Sequence, residues 1–280
     1  MGTVVRKGQY YSVFMVLSLV TAAIILHDQL ASAQNISHFV VEEASFTRLC
    51  ETKNILTVNR KSPAPTIYAH AGETLIMDVE NKGNDNLTIF WREGRYLTRH
   101  ERQLIWLIQP GRKVRQNITI SDQGTLWWHA MNIWQSATVH GAIVVYPMPG
   151  ISYPFPKPHA DIPIILGEWW KKDLKEVILE YIASSSNIMH SDAFTINSQP
   201  GDFYPCSNNG TFKIAVETGK TYLLRIVNAA AGKTLVFGIA MHNLTVVAMD
   251  GRPINNPFTS DYVELSLQQS LDCISSKFLL

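Results

Sequence analysis

The chain has 280 residues, enough for about two domains that each bury a core, and its 46% hydrophobic and 17% charged composition excludes a collagen-like or disordered protein. With 24 basic against 23 acidic side chains and no long run of one sign, it lacks the electrostatic footprint of a nucleic-acid binder.

In chain order, Arg6 and Lys7 precede an apolar run over residues 13–26, and Ala31-Ser32-Ala33 follows. This charged, apolar, small-residue order reads as a signal peptide over residues 1–33, cleaved before Gln34. The run is shorter than the roughly 20 residues a bilayer-spanning helix needs, so secretion without a membrane anchor is expected. Removing the segment leaves 22 basic and 22 acidic side chains. Five Asn-x-Ser/Thr sequons, at Asn35, Asn86, Asn117, Asn209 and Asn243, point to a glycosylated extracellular protein. In that oxidising setting Cys50, Cys206 and Cys273 imply one bridge and one leftover thiol.

Short β-rich runs come next, at residues 55–58, 74–79, 87–91, 114–120 and 141–146, and their spacing reads as a β-sandwich over residues 34–147. Five prolines between Pro147 and Pro158 forbid sheet pairing and mark a linker, placed at residues 148–161. A second series, at 162–166, 194–197, 211–217, 221–227 and 244–248, gives a second sandwich over residues 162–264. Residues 169–184 are the one helical stretch, and 265–280 read as a divergent tail.

Several motifs have a family signature. They are Gln109-Pro110-Gly111, residues 124–130 (GTLWWHA), residues 137–142 (ATVHGA), residues 194–202 (FTINSQPGD), Tyr204-Pro205-Cys206 and residues 216–230 (VETGKTYLLRIVNAA). From about Phe39 to about Glu264 the chain resembles plant laccases, the secreted blue multicopper oxidases. The resemblance implies an all-β fold of tandem cupredoxin-like, Greek-key β-sandwiches, two here against three in the family. It implies oxidation of phenols, including lignin precursors, at a type 1 copper, and reduction of dioxygen to water at a trinuclear copper cluster in the plant apoplast. Four His-x-His pairs hold that cluster, two of them in the first domain. On a strand, residues i and i+2 share a face, so each pair aims two imidazoles into one cleft.

At the positions where the resemblance implies those ligands, this chain has Phe90-Trp91-Arg92 and His129-Ala130-Met131. Phe carries no donor atom, and the permanent charge of Arg repels a cation. His129 is the surviving copper-ligand position. Cys50 and Cys206 match a family pair joining the first two domains, and Cys273 matches nothing. The resemblance ends where another strand of the second sandwich is due, which leaves that sandwich a strand short and the family's third domain missing. No catalytic residue is assigned, since Ser-His-Asp, phosphate-loop and Cys-x2-Cys motifs are absent. His140 and the scattered His38, His70, His100, His159, His190 and His242 carry no site. The tryptophans read as core, and the cluster from Arg92 to Arg115 as a solvated face. The expected function is that of a laccase relative without catalysis; the alternative is a noncatalytic secreted glycoprotein or a cell-wall binding module. Phenolic small molecules and O2 are the partners the resemblance implies, and no protein partner is identified.

Overall fold

The computed structural model describes residues 36–92, 107–184, 189–206 and 210–276. The expected leader, the sequons at Asn35 and Asn209, and His100 lie outside the described residues.

The first half starts with a hairpin of β1 (Ile36–Arg48) and β2 (Glu51–Val58), in register from Val41↔Val58 to Arg48↔Glu51. Its two-residue turn, Leu49 and Cys50, has φ of 53° and 66°, the positive values that match the twist of the flanking strands. β4 (Thr74–Asn81) and β6 (Lys113–Thr119) complete a sheet of order β2-β1-β4-β6. Along β6, Gln116 and Ile118 point inward while Arg115 and Asn117 point out, the alternation that makes this strand legible from sequence.

The facing sheet has the order β3-β8-β7-β5, built from β3 (Ile67–His70), β5 (Ile89–Trp91), β7 (Gly124–Ala130) and β8 (His140–Tyr146). Between the sheets lie Phe39, Met77, Val79, Leu126, Ile143 and Val145. Trp128 packs there too, with the Phe39 and Trp91 rings at 4.8 and 5.5 Å. A one-turn helix, α1 (Ile133–Ser136), connects β7 to β8.

Residues 147–159 contain no strand. The second half then builds a six-stranded sheet of order β10-β9-β11-β16-β13-β14. Its strands are β9 (Ala160–Trp169), β10 (Ala193–Ile196), β11 (Thr221–Asn228), β13 (Leu244–Met249), β14 (Arg252–Ser260) and β16 (Ser270–Ser276). The pair β12 (Leu235–Gly238) and β15 (Tyr262–Leu265) faces it across a core that includes Leu224, Ile226, Phe237, Val246 and Val263. The helix α2 (Leu174–Ser184) joins β9 to β10. The expected all-β fold of sandwiched sheets is therefore what the chain adopts.

Two readings of the second half need correction. The segment expected as an unrelated tail after Glu264 supplies β16, which is inserted between β11 and β13 and antiparallel to both. The strand expected to be absent after Glu264 is present. Leu271 and Cys273 enter the core on one face, while Ser270 and Asp272 are buried on the other. Because both faces are buried, the strand lacks the polar–apolar alternation that marks half-buried strands. Conversely, residues 211–217 form no strand, and most of them are exposed. Their β propensity meets no partner strand, and propensity without cross-strand packing does not hold a strand.

The described residues from Ser37 onward form one compact unit. Trp127 and Ala142 of the first half pack on Ile165, Val227 and Ala229 of the second. Cys50 and Cys206 are bridged, with Cα atoms 5.2 Å apart. Gly124 and Gly251 allow backbone-to-backbone contact: a Cβ on Gly124 would fall 3.0 Å from Gly251 Cα, and one on Gly251 would run into the Leu126 side chain.

Candidate functional site

The face of β7 opposite the first core displays Trp127 and His129, two residues apart. Antiparallel pairing sets Phe90 of β5 and His140 of β8 beside His129. His129 is 6% exposed. Its Nδ1 lies 2.8 Å from the Ala130 carbonyl, so Nδ1–H donates and Nε2 carries the lone pair. Nε2 is buried without a partner among the described residues. The nearest rings are Trp127 at 4.4 Å and Phe90 at 5.5 Å between centroids. Burial holds the His129 pKa below the usual imidazole range, and the positive charge of Arg92 adds to this.

Arg92, next after β5, is tied elsewhere. Its backbone N–H donates to the Trp127 carbonyl at 3.1 Å, and its guanidinium donates to the Gln268 carbonyl in the turn before β16. Trp127 Nε1 donates to that same carbonyl at 3.1 Å. Arg92 and Trp127 thus converge on one oxygen of the second half, which joins the halves beside His129. Met131, past the end of β7, is 50% exposed. His140 is buried with Nδ1 2.6 Å from the Ser136 carbonyl, and burial draws its pKa down to about 4.

Two profiles described as multicopper oxidase match residues 40–150 and 160–275, which together cover most of the chain. The chain belongs to the multicopper oxidase family. Among relatives, it is 43% identical over 272 residues to "Laccase-14" of Arabidopsis thaliana, covering 90% of this chain and 45% of that one. It is also 43% identical over 242 residues to "Laccase-21" of Oryza sativa subsp. japonica, covering 84% and 41%. The chain therefore spans less than half the length of these plant laccases. Its fold is similar to that of the laccase from Botrytis aclada, with a TM-score of 0.74, 22% identity, and coverage of 87% of this chain and 46% of that one. It is likewise similar to the copper nitrite reductase from Nitrosomonas europaea, with a TM-score of 0.72, 15% identity, and coverage of 88% and 85%.

Membership in this family implies copper, and the donor set around His129 does not fit a copper cluster. His129 offers one imidazole lone pair, and the neighbouring His140, whose Nδ1 is likewise taken by a carbonyl, has one more on Nε2. The other neighbours are a phenyl ring, an indole and a guanidinium, none of which ligates a cation, and two imidazoles do not make the ligand set of a copper cluster. Among the described residues no three His, Cys, Asp or Glu side chains gather as a metal group needs. His38 lies 3.5 Å from Asp78, His70 3.6 Å from Glu73 and His159 3.6 Å from Glu217, each with a carboxylate and none in a group of three. Cys273 is a buried free thiol whose pKa burial pushes up to about 12, which suits a core side chain and not a thiolate ligand. Of the expected basic face, Arg115 and Lys113 are engaged by Asp78, at 2.7 and 2.9 Å. The sequons at Asn86, Asn117 and Asn243 are exposed.

Sequence reasoning missed the charged cluster that joins the halves behind β7. Arg225 of β11 is fully buried; it donates to Asp161 at 2.8 Å, to Asp272 at 3.2 Å and to the Tyr153 hydroxyl at 2.9 Å. Thr125 of β7 donates to Asp272, and its carbonyl accepts from the Ser270 hydroxyl at 2.6 Å. A guanidinium with matched acceptors is how a buried charge is tolerated. Its one sequence signal is an Arg inside the otherwise apolar run of β11.

Proposed function

We propose that this member of the multicopper oxidase family is a secreted, glycosylated relative of plant laccases that does not reduce dioxygen, because its first half cannot supply ligands for a trinuclear copper cluster. The observation that carries this reading is the set of neighbours of His129: Phe90 and Arg92 hold the positions where the resemblance places histidines, and Arg92 is committed to the Gln268 carbonyl. This holds whatever other segments accompany the chain, since the ligands at issue belong to residues present here. Secretion rests on the leader signature over residues 1–33, and glycosylation on the exposed sequons. We also take residues 34–147 and the sheets from β9 to β16 as two cupredoxin-like domains, with residues 148–159 as their linker, since the last two residues of the expected linker, Ala160 and Asp161, open β9.

The names of the relatives, which say laccase, support a second reading in which the chain is itself a laccase; the family resemblance then implies oxidation of phenols with reduction of O2 to water, in the apoplast and toward lignin. One experiment separates the two. Protein secreted from a eukaryotic host and supplied with copper is mixed with a methoxyphenol while dissolved oxygen is recorded. The proposal expects no oxygen uptake above that of free copper, and turnover saturable in phenol would overturn it.

A further inference from the structure

An open sheet ends in two edge strands, whose free N–H and C=O groups can pair with another chain unless the edge is short, covered or blocked. Most edges here are short: β3, β5, β10, β12 and β15 have three or four residues each. Three are long, β2 with eight residues, β6 with seven and β14 with nine. β2 lies against the second half, where Ile55 packs with Trp169 and Ala193, and Lys53 donates to the Lys172 carbonyl at 3.2 Å. β14 contains Pro253 and Pro257, which have no N–H to offer, and its pairing with β13 shifts register between Val246 and Ala248.

β6 has none of these devices. Among the described residues its strand partner is β4 alone, in unbroken register from Thr74↔Thr119 to Glu80↔Lys113, and it contains no proline. Its two cations lean away from the free edge. Arg115 donates to both Asp78 carboxylate oxygens, at 2.7 and 3.0 Å, and Lys113 to one of them at 2.9 Å, and Asp78 belongs to β4 on the paired side. A second copy of the same strand could therefore pair along this edge and continue the sheet. The next residue on that face is Asn117, exposed in mid-strand and the first residue of the sequon Asn117-Ile118-Thr119.

We propose that an N-linked glycan on Asn117 guards the β6 edge and keeps two copies of this chain from joining through it. A bulky, hydrated chain anchored in mid-strand fills the space, about 4.8 Å to the side, that an incoming strand would occupy. The other exposed sequons lack this placement: Asn86 lies before β5 in a loop, and Asn243 precedes β13, an interior strand. The inference rests on the glycosylation reading above and adds to it a role for one particular site.

The test uses the full chain secreted from a eukaryotic host, with the occupancy of each asparagine read by peptide mapping. In sedimentation velocity, Asn117→Gln should associate at concentrations where the parent, Asn86→Gln and Asn243→Gln remain monomeric. Hydrogen–deuterium exchange of the associated species should show new protection at residues 113–119. Asn117→Lys, which puts a charge where the glycan stood, should be monomeric again. If Asn117→Gln is not secreted, enzymatic removal of glycans from the folded proteins replaces it, with association expected in the parent and none in Asn117→Lys. An unmodified Asn117 in the parent, a chain that stays monomeric without the Asn117 glycan, equal association in all three glutamine variants, or new protection elsewhere than residues 113–119 would overturn the proposal. The glycosylation reading itself fails only if Asn86 and Asn243 are bare as well.

Discussion

At His140 the ring sits in the interior against the Ser136 carbonyl, and burial favours its neutral form down to about pH 4. The folded pKa lies below the unfolded value of 6.5, so the stability this residue contributes is complete above pH 6.5 and is lost as pH falls toward 4. The loss amounts to about 2 kcal/mol by pH 5 and approaches about 3 kcal/mol at lower pH. His129, lowered for the same reason, acts in the same direction. Asp78, held below the ordinary carboxylate range by hydrogen bonds from Arg115 and Lys113, gives up its contribution only as pH falls below about 3.8, so the two windows separate. Urea unfolding at pH 7 and pH 5 should show His140→Asn, which keeps a donor for Ser136, with a smaller difference between the two pH values than the parent chain. An equal difference in both proteins would remove His140 from the account. None of this was legible in the sequence, where His140 is simply a residue before a glycine; its burial comes from β8 pairing with β7.

Among the elements, the strands with clean alternation were readable in advance, β6 most plainly. β16 was not, because a strand buried on both faces with Ser270 and Asp272 on one of them looks like a polar tail until Arg225 and Thr125 are seen opposite. Residues 211–217 failed in the reverse sense, having strand composition without a neighbour. The turn from β13 to β14 approaches β7 so closely that Gly251, with φ of 75°, leaves no room for a side chain. Gly251→Ala should therefore destabilise the protein by about 2 to 3 kcal/mol, combining overpacking with a positive φ. Gly219 has φ of 78° and nothing within 4 Å of its Cβ position, so Gly219→Ala should cost only about 1 kcal/mol. Thermal denaturation of the two variants compares these directly, and equal losses would show that the close approach of Gly251 to Leu126 is not felt.

Across the whole molecule, the two halves are joined by the Cys50–Cys206 bridge, the Arg225 cluster, the contact of Gly124 with Gly251, and the convergence of Arg92 and Trp127 on Gln268. β16 ties β11 to β13 within the second sheet, so the residues after Glu264 take part in the same core. A single unfolding transition reported alike by tryptophan fluorescence and far-UV circular dichroism is expected. Reduction should lower stability by up to about 4 to 5 kcal/mol, since the bridge spans 156 residues. Family membership was legible from the motifs around residues 124–130 and 216–230; the latch from Arg92 to Gln268, at a position where the resemblance implies a metal ligand, was legible only as the residues Phe90 and Arg92, because the partner of Arg92 lies 176 residues along the chain. The central claim is that this site holds no copper cluster. Its most direct test is the copper content of the secreted chain after reconstitution and exhaustive dialysis, measured by elemental analysis. The account predicts well under one copper per chain; two or more tightly held coppers would contradict it.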